Sequence, residues 1–131
     1  RNDANGEDLM TLNLLTKRVG IGTTAPTHPL TVNGAIKADS LIAAGGETWP
    51  DHVFDESYEL MPLDELADYL QQQKHLPGVP TRDEVADQGV NVTEIQAALL
   101  QKIEELTLHL IALKQENAQL KARLSVLEQQ E

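Results

Sequence analysis

Leu99-Leu100-Gln101-Lys102-Ile103-Glu104-Glu105-Leu106-Thr107-Leu108-His109-Leu110-Ile111-Ala112-Leu113, continued by Lys114-Gln115-Glu116-Asn117-Ala118-Gln119-Leu120-Lys121-Ala122-Arg123-Leu124-Ser125-Val126-Leu127, decides the architecture of this chain. Neither proline nor glycine interrupts it, and its apolar residues recur every three or four positions, the spacing of one face of a helix. With Ile103, Leu110, Asn117 and Leu124 at position a of a seven-residue repeat, Leu99, Leu106, Leu113, Leu120 and Leu127 all fall at d. A repeat sustained over about four heptads predicts a coiled coil between copies of the chain. In the same frame Glu116 (g) faces Lys121 (e) of a neighbour and Arg123 (g) faces Glu128 (e), pairs that match when the chains run parallel. Asn117 at a core position costs stability unless it meets another amide, which identical residues in a parallel, in-register assembly provide. It therefore reads as a lock on register. Thr93 and Gln96 have capping-box spacing, which places the start of this helix at Glu94.

The residues before this helix fall into two regions. Residues 1–46 alternate short apolar runs with Gly, Asn, Thr and Pro: Leu9 to Leu15, Arg18 to Gly22, and Leu30 to Ile36. That pattern predicts short strands, with Asn33-Gly34 as a tight turn and Pro26 and Pro29 excluding a helix through Thr24 to Leu30. So few strands bury little in a single copy and leave open edges, so strands from several chains are expected to wrap a shared axis. Residues 47–92 form a small acidic junction. Pro62 suits the first turn of a helix through Leu63, Leu66, Ala67 and Leu70, which ends before Leu76-Pro77-Gly78. Thr81 and Glu84 form a capping box for a second short helix that Gly89 closes. The expected fold is thus α+β and fibrous: intertwined β-strands over 1–46, a helical junction over 47–92 and a parallel coiled coil over 93–131.

Composition narrows the function. The 131 residues leave little room for an enzyme core with a deep cleft, and one Trp, one Phe, two Tyr and no Cys supply few aromatic groups, no disulfide and no thiolate ligand. The formal charge of -11 opposes general nucleic-acid binding. The excess sits in the junction: residues 46–92 carry eleven acids and two bases, against four and four in 1–45 and six and four in 93–131. No run approaches the roughly 18 apolar residues of a membrane span, and Arg1 to Gly6 contains no apolar signal core, so the chain reads as a fragment without membrane insertion.

Motifs with chemical readings were weighed against plainer ones. Gly20-Ile21-Gly22-Thr23-Thr24-Ala25 spells G-x-G-x-x-A, but a dinucleotide site needs a helix at that point and Pro26 and Pro29 follow instead. The glycines are read as places of tight turning or of close approach between chains, and no cofactor is expected. His28, His52, His75 and His109 never take metal-ligand spacing, and Asp51, Asp55, Glu56 and Glu59 lack the order of a calcium loop, so no metal is expected. Ser40, Ser57 and Ser125 lack the strained setting of a nucleophile, and no catalytic residue is assigned. Asn91-Val92-Thr93 fits a glycosylation sequon, with Thr93 preferred as a helix cap. Trp49, Asp51, His52 and Tyr58 are the residues for a contact surface toward a receptor or glycan.

Several runs resemble the C-terminal region of bacterial and phage tail-fibre-like proteins. They are Arg18 to Pro26 and Leu30 to Ala38, then Trp49-Pro50-Asp51-His52-Val53-Phe54, Tyr58 to Leu63, Lys74-His75-Leu76-Pro77-Gly78-Val79-Pro80, and Ile103 to Leu108. The resemblance implies a homotrimeric fibre end at a bacterial surface, in the periplasm, on an extracellular fibre or on a phage tail, with adhesion or host recognition carried by the complete protein. The related endosialidase-type chaperones cleave themselves at a Ser-Asp pair; none occurs here, so a retained domain is expected. Leucine at d with Ile103 and Asn117 at a is a dimer pattern, but Leu110 and Leu124 dilute it and the strands need more than two partners to close their edges. Three copies are therefore expected ahead of two.

Overall fold

A computed structural model describes residues 9–43 and 49–129. The chain is α+β, with a small three-stranded sheet near its N-terminus and a long C-terminal helix. It divides into two compact units, Arg1–Ile42 and Ala43–Glu131.

In the first unit β1 (Met10–Asn13) and β2 (Arg18–Ile21) pair antiparallel, Met10 opposite Ile21 and Asn13 opposite Arg18. The turn between them is held by Asn13, whose side-chain oxygen accepts from the Thr16 amide at 3.0 Å, and by Lys17 in the left-handed region. β3 (Leu30–Val32) then pairs with β2 in parallel, Val19 opposite Leu30 and Ile21 opposite Val32. Parallel neighbours require a crossover, and this one occupies only the loop between Ile21 and Leu30, much shorter than the usual dozen residues. Two contacts brace it: Arg18 donates to the Pro26 carbonyl at 3.1 Å, and the Val19 amide donates to the Pro29 carbonyl at 2.7 Å.

The G-x-G-x-x-A run lies at the end of β2. A Cβ on Gly20 would stand 2.3 Å from the Thr23 carbonyl oxygen, and Gly22, at φ +66°, would bring one to 3.2 Å from the Asn33 carbonyl. Both glycines therefore answer a close approach within the chain. At Asn33-Gly34, where the sequence predicts a tight turn, the chain bends, with Gly34 at φ 155°. Asn33 ties back across the loop, its amide donating to Ile21 at 2.9 Å and its side chain to Gly22 at 3.2 Å, so β3 stops at Val32 and no hairpin follows. The sheet encloses almost no core: Leu12, Leu14, Leu15, Ile36 and Ile42 are exposed.

The second unit begins with a 3-10 turn, Asp51–Phe54, which seats Val53 at 1% exposure beside a buried Pro50. Next, α1 (Leu63–Gln73) starts directly after Pro62 and ends where Lys74 turns left-handed at φ 62°. Then α2 (Arg82–Gln88) carries both halves of the capping box: the Thr81 hydroxyl accepts from the Glu84 amide at 3.2 Å, and the Glu84 carboxylate accepts from the Thr81 amide at 2.7 Å. Those bonds, the backbone one foremost, hold the Glu84 carboxyl below the usual glutamate range. Gly89 closes the helix at φ 75°.

Finally α3 runs from Val92 to Glu128, 37 residues or about 55 Å. Its cap is Asn91, not Thr93. The Asn91 side chain accepts from the amides of Thr93 and Glu94 and donates to the Glu94 carboxylate at 2.9 Å. Asparagine outranks threonine as a cap, and the Glu94 partner fixes the choice two residues earlier than the sequence spacing of Thr93 and Gln96 suggests.

Candidate oligomerisation interface

The first half of α3 is apolar on two faces. One faces its own unit: Ala97 is buried and Leu100, Gln101, Glu104 and Leu108 are half-buried, on the side of the helix that contacts the 3-10 turn and Val53. In the heptad frame these are b, e and f positions. The opposite face carries the a and d residues. Leu99, Ile103, Leu106, Leu110, Leu113, Leu120, Leu124 and Leu127 are between 41% and 61% exposed, a long apolar stripe interrupted at Asn117. A folded chain rarely leaves such a stripe open without a use for it. Beyond Leu110 every described residue of the helix is exposed, so among the described residues nothing covers its last 18 helical residues, Ile111 to Glu128.

Asn117 is exposed and donates its side-chain amide to the Leu113 carbonyl of its own helix at 2.9 Å. Glu116, Lys121, Arg123 and Glu128 are likewise exposed. The partners read from the heptad, Glu116 with Lys121 and Arg123 with Glu128, are five residues apart and lie off one another's side of a single helix, where neighbours are three or four apart. Among the described residues the only ion pair is Lys102 with Glu105, at 2.7 Å.

That pair belongs to a polar brace the sequence reading missed. Tyr58 donates its hydroxyl to the Glu105 carboxylate, and Gln101 donates to the Tyr58 oxygen at 3.1 Å and to Glu105 at 3.0 Å. Burial, followed by the bond to Glu105, pushes the Tyr58 phenol up from its usual value of 10.0. For Glu105, burial alone acts upward, but the hydrogen bonds from Lys102, Tyr58 and Gln101 together outweigh it and leave the carboxyl below the usual range. The spacing of Gln101 and Glu105 was visible as an i, i+4 pair; its partner 43 residues upstream was not.

The family-scale comparisons add nothing to these contacts. No family model, no curated protein and no solved structure matches this chain.

The proposed contact residues fall into different settings. Trp49 is 52% exposed, and Asp51 and His52 are exposed, whereas Tyr58 is half-buried and committed to α3. The His52 and Tyr58 rings are 5.6 Å apart and tilted. Among the described residues no three His, Asp or Glu side chains converge, and no helix is long and apolar enough to cross a membrane.

Beside the stripe lies a groove of about 660 Å³. Leu99, Ile103 and Leu106 form its floor, and Leu63, Leu66 and Leu76 its far wall. Tyr58 and Glu105, joined by the brace, line it as well.

Stability of this brace has a defined pH dependence. A carboxyl depressed on folding stabilises above its unfolded value and loses that stabilisation as pH falls through its folded value. The thermal midpoint should therefore drop as pH falls below about 4, and less steeply in Glu105→Gln. Circular dichroism melts of both proteins across that window check it; identical profiles would remove Glu105 from the account.

Proposed function

We propose that this chain is a homo-oligomerisation module in which α3 joins three copies in parallel, forming the C-terminal end of a tail-fibre-like surface adhesin. The observation that carries the reading is the outward a and d stripe of α3, exposed while the opposite face of the same helix is already occupied by its own unit. Association at the stripe would bury those leucines, align Asn117 with its equivalents and bring Glu116 to Lys121 and Arg123 to Glu128 of neighbours. It also supports the strands: chains held together by α3 raise the effective concentration of one another's 1–46 segments, lowering the cost of joining exposed edges around a shared axis. On this reading the protein works at a bacterial surface, in the periplasm or on a phage tail, and assembles rather than catalyses.

Truncation after Ile111 is the direct test, because it removes exposed helix and keeps the part that packs on Val53. Light scattering of the full chain should give three copies and of the truncated chain one; equal masses would end the proposal. A second reading, a receptor or glycan contact, is favoured by the exposure of Trp49 beside Asp51 and His52. Trp49→Ala would then weaken cell attachment of the assembled fibre without changing its mass.

A further inference from the structure

We propose that the groove beside α3 seats the α3 helix of a second copy, with Thr107 of that helix turned into it, so that the junction of each chain grips its neighbour. This rests on the parallel self-association proposed above and adds a contact which the heptad does not contain. Two observations carry it. First, the floor of the groove is the a and d stripe itself, through Leu99, Ile103 and Leu106, so a helix laid on the stripe is already at the groove.

Second, the groove lies toward the g side of α3. Its lining includes the g residues Lys102 and His109 and omits the e residues Leu100 and Thr107. In parallel coils the g side of one chain meets the e side of the next. The same relation that pairs Glu116 with Lys121 therefore brings Thr107 of the neighbour opposite Lys102, under the wall made by Leu63, Leu66 and Leu76. Those three side chains find no full cover within their own chain; Leu63 and Leu76 are exposed. A neighbouring helix covers them and the stripe in one step. A small apolar ligand is the competing occupant, since the volume suits one, but it would have to displace the copy from the stripe.

The chain has no cysteine, so introduced thiols are the only ones present. Full-length L66C and T107C chains, each carrying one substitution, are co-expressed, crosslinked with a short bis-maleimide and mapped by mass spectrometry. Any link between the two sites must then join different chains. The expected result is a dominant L66C to T107C product, and an assembly that does not light up 8-anilinonaphthalene-1-sulfonate. An oligomer of undiminished mass giving only T107C to T107C links overturns the groove contact and leaves self-association standing. Strong dye fluorescence from the oligomer that is lost in L66E assigns the groove to a small apolar ligand and also overturns it. A monomer by light scattering for the unsubstituted chain defeats both.

Discussion

Leu106→Asp combined with Leu113→Asp is expected to convert the assembly to monomers. Both are d residues, part-exposed in the single chain, so the substitutions leave the packing of Val53 and Ala97 untouched. Each buried leucine contributes about 2 kcal/mol at an interface. Losing two per chain, before any cost of burying carboxylates, amounts to about 4 kcal/mol, roughly a thousandfold weaker association. Sedimentation or light scattering across a dilution series measures it. Circular dichroism should report a second loss. An isolated helix has a costly nucleus, and the half of α3 beyond Leu110 is exposed at every described residue, so in the monomer that half should fray while the first half persists. A double variant of unchanged mass and unchanged helix content would mean that the stripe is not where copies meet.

Val53→Asp should have the opposite signature. At 1% exposure Val53 is among the few fully enclosed side chains of its unit, and the 3-10 turn that carries it contacts α3. A carboxylate buried there without a partner is expected to cost about 3 kcal/mol or more. Val53→Ala, which only leaves space, should cost about 1 to 2 kcal/mol. Thermal unfolding followed through Trp49, the single tryptophan and close in sequence to the turn, distinguishes the two. If V53D melts with the unsubstituted chain, the turn is not a structural anchor. The two variants separate what holds a unit together from what holds copies together: V53D should loosen the fold around the first half of α3, and the leucine pair should not.

Local chemistry made much of this architecture legible beforehand. Capping by Thr81 and Glu84, termination at Gly89, the start of α1 after Pro62 and the exclusion of helix by Pro26 and Pro29 each depend on residues within one turn of one another, so the pattern and the structure agree. Where the determinant lies farther away, the reading slipped. The cap is the exception, a slip over a local contact: Asn91 took it from Thr93 through Glu94, three residues on. Asn33, read only as part of a tight turn, also ties its side chain to the Gly22 carbonyl 11 residues earlier, which no local spacing shows. Tyr58 was grouped with Trp49 by proximity in sequence, whereas its hydroxyl is spent on Glu105, 47 residues away.

The sequence by itself determined that α3 exists, that its a and d residues form one stripe, and that Asn117 interrupts it, since helical periodicity is a property of neighbouring residues alone. It did not determine which side of α3 would be covered. Leu100 and Leu108 offered a second apolar face, and only the path of the chain through Pro50 and Val53 decided that this face would be the one packed inside the unit. That choice depends on contacts between segments more than 40 residues apart, whose geometry no local spacing encodes, and it is what left the leucine stripe facing outward.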